Sequence, residues 1–208
     1  MIRLSMKLPD RIAIAVSGGV DSMAALDFLS RRKDVVALHY NHATEHSDLA
    51  EKLVLDFCEE RDISLLTGRL LKPIPAGASD EDFWRKSRYN FFETIALTPA
   101  YSNIPIITCH HLDDLMETWV FTSLHGASRL IPTKRGRFLR PLLITRKAVL
   151  EDWCDRKDVP FIADPSNADL SYMRNYIRHE IIPRALRINP GLPKVLRKKV
   201  LNTPVIFE

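Results

Sequence analysis

The hydrophobic pattern opens with an apolar, β-branched run, Ile12-Ala13-Ile14-Ala15-Val16, that passes directly into Ser17-Gly18-Gly19-Val20-Asp21-Ser22 and then into an amphipathic segment, Met23 to Ser30. That order predicts strand, tight loop and helix. Val35 to Tyr40 reads as a second buried strand, and Leu49 to Arg61 as a helix with Leu49, Leu53, Val54, Phe57 and Cys58 on one face. Ile63 to Leu66 is a third strand, and the breakers of Lys72 to Gly77 make a loop. Ser79 reads as the N-cap of a helix to about Leu97, with Asp80, Glu81 and Asp82 in its first turn.

The second half repeats the alternation. Ile104 to Thr108 is a strand, and a helix opens within Cys109 to Thr118, with Leu112, Leu115, Met116, Trp119 and Val120 as its buried stripe. Gly126 to Arg137 is a basic loop, Phe138 to Leu143 follows it, and Thr145 is placed to cap a helix from Arg146 to Asp158. Val159 to Ile162 is extended, Asp164-Pro165-Ser166-Asn167 is turn chemistry, and a helix from Met173 is expected to end near Pro183. The residues after Pro190 form a tail with apolar Val205-Ile206-Phe207 at its end, and no repeat or low-complexity segment interrupts the chain.

With 208 residues, 46% hydrophobic and 27% charged, the composition is that of a soluble globule with one substantial domain. No apolar run approaches the roughly 20 residues that span a bilayer, and Met1 to Asp10 lacks a signal-peptide core, so a cytoplasmic protein is expected. Cys58, Cys109 and Cys154 are odd in number and widely spaced, which argues against a disulfide framework or paired-cysteine metal site. The net charge of +4 is modest but unevenly spread. No acid lies between Glu117 and Glu151, where Arg129, Lys134, Arg135, Arg137, Arg140, Arg146 and Lys147 fall, and a second basic group includes Arg184, Arg187, Lys194, Arg197, Lys198 and Lys199. Such clusters are the expected footprint of a polyanionic partner, the alternative being a solvated basic surface.

The candidate chemistry sits at strand ends. A glycine loop at a helix N-terminus leaves backbone N–H groups for an anion such as phosphate, and the Ser17 and Ser22 hydroxyls can add donors. No lysine follows the glycines, so this is not a Walker A loop. Asn41-His42 ends the second strand at the carboxyl edge, where open α/β sheets bind ligands. Arg85 and Arg88 share a helix face, either toward phosphate or as surface partners of Glu81 or Glu93. His111, Asp114 and Glu117 share another, able to hold an ammonium group or a metal, or to accept a proton. His110-His111 with Asp113-Asp114 also suggests a transition-metal site, but adjacent helical residues point apart, and magnesium carried by a phosphate ligand suits these carboxylates better.

The Ser17 to Ser22 loop resembles that of the PP-loop ATP pyrophosphatases. In order, Asn41-His42, Arg85 to Tyr89, His110 to Thr118, Arg140 to Leu143, Asp164 to Asn167 and Arg174 to Arg178 resemble the successive signatures of the tRNA(Ile)-lysidine synthetase family. The resemblance implies an α/β, Rossmann-like (adenine nucleotide alpha hydrolase-like) fold, with a mostly parallel, doubly wound sheet and helices on both faces. It implies a ligase that adenylates the wobble cytidine of an isoleucine tRNA (CAU anticodon) with ATP and Mg²⁺, then joins L-lysine to C2. Ser17, Gly18, Gly19, Val20, Asp21 and Ser22 would bind the nucleotide with His42, His111 and Arg178, and Asp21 would lie near the magnesium. Asp114 and Glu117 would hold the lysine ammonium and assist its deprotonation, while Arg88, Arg174 and Arg178 would stabilise charge on phosphate or adenylate. Asp21, Arg88, Asp114, Glu117 and Arg174 form the expected catalytic set, and Asn167 and Asn175 would order loops.

Three departures accompany the resemblance. Ala43-Thr44-Glu45 stands where members usually carry an arginine, His125 replaces another, and bacterial members continue into C-terminal tRNA-binding domains where this chain stops at Glu208. Residues 1–190 are accordingly expected to be the catalytic domain and 191–208 a basic tail, with a homodimer or a partner chain completing tRNA recognition. The alternatives are another PP-loop tRNA-modifying enzyme, such as a thiolase, an enzyme joining an amine to a small acid, and a non-catalytic tRNA-binding remnant. The cysteine spacing disfavours the first, the basic segments are superfluous to the second, and the intact Asp21, Asp114 and Glu117 argue against the third.

Overall fold

The computed structural model describes every residue except 72, 74, 76, 78, 165–168 and 204–208, together with the side chain of Glu81. Asn167, most of the expected 164–167 turn, part of the 72–77 loop and the apolar end at 205–207 lie outside the described residues.

Strand β1 (Arg11–Ala15) passes through the glycine loop into α1 (Val20–Ser30), and β2 (Asp34–Asn41), α2 (Glu45–Glu60) and β3 (Ser64–Arg69) follow. After α3 (Asp80–Leu97) the chain returns as β4 (Ile106–Ile107), leaves through α4 (Leu112–Leu124), and makes a hairpin of β5 (Lys134–Arg135) and β6 (Phe138–Leu139). Helices α5 (Lys147–Lys157), α6 (Met173–Tyr176), α7 (Ile182–Ile188) and α8 (Leu192–Asn202) complete it, with a π-helical turn, Ile177–Ile181, between α6 and α7. The sheet order is β3-β2-β1-β4-β6-β5, parallel throughout except for the β5–β6 pair.

Alternation along the strands divides the core between two faces. Ile12, Ile14, Val35, Ala37 and Ile107 pack with Leu26 of α1, Phe57 of α2 and Leu150 of α5. Ala13, Val36, Leu38, Ile106 and Phe138 pack on the other face with Phe92 of α3. Both faces are covered, which is why the central strands read as continuous apolar runs. The chain leaves β1 toward β2, then crosses back after β3 to lay β4 on the other side of β1. That reversal opens a crevice at the carboxyl ends of β1 and β4.

Several local expectations are corrected. Leu49 is 57% exposed, and the inner face of α2 is Ala50, Val54, Phe57 and Cys58. A small residue is required at that crossing, because a Cβ on Gly18 would lie 3.0 Å from the Ala50 Cβ. Ser79 makes no side-chain cap bond. Thr145 caps nothing either: its hydroxyl donates to the Arg3 carbonyl at 2.6 Å and accepts the Arg3 N–H at 2.9 Å. The first amide of α5, Lys147 N–H, donates instead to Asp113 Oδ2 at 2.7 Å. Pro183 does not end its helix but sits in the first turn of α7. Proline is tolerated in the first turn of an α-helix, and here it falls where the ladder changes from π to α spacing. The stretch after Pro190 forms α8, whose Leu192, Leu196 and Val200 are buried against α4 residues such as Met116 and Val120. At roughly 1.5–3 kcal/mol per buried aliphatic side chain, that contact fastens the helix to the body of the fold.

Candidate active site at the carboxyl edge of the sheet

The loop between β1 and α1 is held open by its own side chains. Gly18 takes a φ of +83°, a conformation that favours glycine, and its carbonyl accepts the Ile162 N–H at 2.9 Å. Ser22 Oγ accepts the Ser17 N–H at 3.1 Å and donates to the Gly19 carbonyl at 2.9 Å. Ser17 Oγ lies 3.2 Å from Ser22 Oγ and accepts the Gly19 N–H at 3.4 Å. Ser22 therefore folds the loop, while Val20 and Asp21 present their amides at the N-terminus of α1.

Asp21 meets α4 across the crevice. His111 is the N-cap of α4: its Nδ1 accepts the Asp114 N–H at 3.2 Å, and its own N–H donates to Asp114 Oδ2 at 2.9 Å. With Nδ1 so engaged, the neutral ring carries its proton on Nε2, 3.4 Å from Asp21 Oδ1. That oxygen is buried without a good hydrogen bond. Burial pushes the Asp21 pKa up, but His111, Lys147 and Arg178 pull it further down, so the carboxylate stays ionised. Burial lowers the pKa of His111, and Asp114, Asp21 and Asp113 together more than reverse that.

One turn along α4, Glu117 is 4% exposed and grips Arg178 with both oxygens, Nε–Oε1 2.6 Å and Nη2–Oε2 3.1 Å. Arg178 Nη2 also lies 3.7 Å from Asp114 Oδ1. Burial holds the pKa of Glu117 up against the opposing pull of Arg178. Asp114, with 23% of its side chain exposed against 6% for Glu117, is the more reachable carboxylate.

The remaining expected residues fall into two further groups. His42, at the end of β2, lies between Tyr40 and Trp84, with ring centroids at 5.2 and 5.4 Å. Burial, the Arg88 charge and His39 push its pKa down to about 4, so it is neutral at physiological pH. Burial depresses the pKa of His110 to about 4, and the nearby charges of Arg140, Arg85 and, on α6, Arg174 add to it. His110 Nδ1 faces Thr108 Oγ1 at 3.2 Å. Among the described residues no three His, Cys, Asp or Glu side chains come together to hold a metal. Asn175 donates to the Asp169 carbonyl at 2.9 Å, ordering a loop. Asp113, which helical spacing sets off the His111, Asp114 and Glu117 face, binds Arg146 at 2.9 Å and caps α5. Lys147, which supports Asp21 electrostatically, gave no local signal.

An open parallel sheet with an anion-binding glycine loop at its switch point, facing buried acids, defines a nucleotide-binding α/β protein. The family model of the PP-loop domain matches residues 3–185, and the chain belongs to that family. The family implies use of ATP. Relatives named tRNA(Ile)-lysidine synthase include one from a Thermotoga species, 30% identical over 95% of this chain and 50% of its own length. Another, from Geobacter sulfurreducens, is 34% identical over 88% of this chain and 41% of its own length. The chain thus spans about half the length of the curated relatives it matches. Similar solved structures are an NH3-dependent NAD synthetase from Campylobacter jejuni (TM-score 0.52, 14% identity, 96% of this chain and 90% of that one) and an NMN synthetase from Francisella tularensis (TM-score 0.56, 12%, 96% and 89%). These two share the fold. No described helix is long and apolar enough to cross a membrane.

Proposed function

We propose that the chain is the catalytic portion of an ATP-dependent tRNA(Ile)-lysidine synthetase. The observation that carries this reading is the pairing of the glycine loop with the α4 acids, Asp21 to His111 to Asp114, in a chain related to tRNA(Ile)-lysidine synthases.

The cytidine O2 would attack the α-phosphorus of ATP, displacing pyrophosphate. The lysine ε-amine would then attack C2, breaking its bond to O2 and releasing AMP. The loop amides would hold the ATP phosphates and bear the charge that develops as pyrophosphate leaves. Asp21 fits a magnesium ion, since its buried Oδ1 has no hydrogen-bond partner and this ion typically takes one or two carboxylates plus phosphates. Bound there, the ion would neutralise phosphate charge. Asp114 would receive the lysine ammonium on Oδ1 and take up its proton, which must leave before the nitrogen can attack. Glu117 would fix Arg178, holding that guanidinium beside Asp114 and toward the phosphates. Arg88 and Arg174 would approach the acceptor from α3 and α6.

The test is ATP-dependent pyrophosphate release with and without tRNA and lysine, followed by mass analysis of the tRNA nucleosides. Release that requires tRNA, with a lysine adduct on cytidine, is the expected result. Release independent of tRNA, or a sulfur adduct, overturns it.

A further inference from the structure

One buried charge at this edge is left unused by that chemistry. Arg140, just after β6, is only 4% exposed. Its Nη1 donates to the Pro132 carbonyl at 2.9 Å, and its buried Nε has no hydrogen-bond partner. Among the described residues no carboxylate pairs with it; Tyr89 is its side-chain partner, and Arg85 and Arg135 add like charge. Arg85 lies with its guanidinium 5.2 Å from the Tyr89 ring centroid. Strand pairing sets the place, since Ile107 of β4 lies opposite Leu139 of β6 and Thr108 N–H donates to the Leu139 carbonyl at 2.9 Å. Arg140 therefore emerges beside His110, on the strand end next to the glycine loop.

A buried guanidinium without an anion is costly to a fold, far beyond what two hydrogen bonds return, and an apolar side chain of similar size fills such a place better. An uncompensated cation that also faces like charge is the ground state of a site awaiting its counter-ion. We propose that Arg140, with Arg85 and Arg174, forms an oxyanion subsite for the second substrate, separate from the ATP phosphates. It takes an RNA phosphodiester or the carboxylate of an amino acid. Assignment to the second substrate rests on the reading above; the existence of the subsite does not, and the first test addresses it alone.

That test is thermal unfolding of the full chain with the glycine loop saturated by a non-hydrolysable ATP analogue, titrated with inorganic phosphate against chloride of equal ionic strength. Wild type is expected to gain Tm with phosphate. Arg140→Met is expected to lose that gain while its phosphate-free Tm stays level or rises. A phosphate response retained in Arg140→Met overturns the proposal. So does the absence of any response in wild type, a result readable even if the variant fails to fold. Arg140→Lys, which keeps charge but loses the fork, is expected to respond at higher phosphate. Steady-state kinetics then separate the sources. A tenfold rise in KM for an anticodon stem-loop, with KM for lysine unchanged, assigns a phosphodiester. A rise for lysine, with lost discrimination against lysinamide, assigns the carboxylate. No change in either overturns the assignment to the second substrate and leaves ATP turnover as the check on the broader reading.

Discussion

At the amino-terminal edge of the sheet Asp27 is 2% exposed, as buried as Glu117 at the carboxyl edge. There the buried carboxylate is answered: Asp27 takes Arg31 at 3.0 and 3.1 Å and the Trp153 Nε1 proton at 2.8 Å. The groove beside it, about 400 Å³, is lined by Arg31, Lys33 and Arg61, and each of them is paired with an acid. At the carboxyl edge Asp21 Oδ1, approached only by His111 Nε2 at 3.4 Å, His42 Nδ1 and Arg140 Nε are all buried without a good hydrogen bond. Both ends bury charge; only one leaves it unsatisfied. A fold gains nothing by withholding a partner from a buried polar atom, so the orphans grouped at the carboxyl edge mark where a ligand belongs, and the groove with closed ion pairs does not.

This contrast predicts opposite consequences for similar substitutions. Asp114→Asn removes the proposed charge partner of the amine, so lysine incorporation should fall by about 100-fold or more while ATP affinity stays within about twofold. Single-turnover transfer alongside nucleotide titration checks it, and unchanged incorporation would remove Asp114 from the mechanism. Asp27→Ala at the other edge should cost about 2–4 kcal/mol in chemical denaturation, because it strands the Trp153 N–H and Arg31, with the specific activity of the folded fraction unchanged.

His42 supplies a pH-dependent version of the comparison. Its pKa is pushed down to about 4 in the folded protein, from an ordinary value near 6.5, so the unfolded chain binds more protons in that interval. Stability is then full above the unfolded value and declines as pH falls toward 4, at up to about 1.4 kcal/mol per pH unit for this group. His42→Gln should flatten that part of the pH–stability curve, as read from urea midpoints at each pH. An unflattened curve would place the titration elsewhere, His110 being the other histidine pushed to about 4.

What could be read from the chain follows the range of each interaction. The glycine loop was legible because its residues are contiguous, and the His111, Asp114, Glu117 face because helical spacing groups them. The Arg178–Glu117 fork joins residues 61 apart and depends on how α6, its π turn and α4 come to lie together. The capping of α5 by Asp113 reaches across 34 residues, and the close approach of Gly18 to Ala50, which marks the inner face of α2, joins residues far apart in the chain. The burial of Arg140 is likewise invisible in a segment that reads as one more member of a basic run.

Trp153→Phe makes the smallest and sharpest cut. Phenylalanine preserves an aromatic ring against Phe28, now in edge contact at 5.2 Å, and beneath the Arg31 guanidinium at 5.6 Å, while removing the one N–H that reaches Asp27 from α5. Asp27 keeps its fork with Arg31, so the expected loss is that of a single hydrogen bond, about 1 kcal/mol. The same helix begins at Lys147, whose amide is held by Asp113 and whose charge acts on Asp21, so α5 physically links the two edges. If the edges are energetically separate, the substitution lowers the denaturation midpoint and leaves KM for ATP unchanged. A shift in KM for ATP would show that tension in α5 reaches the glycine loop, and that the satisfied edge helps to set the geometry of the unsatisfied one.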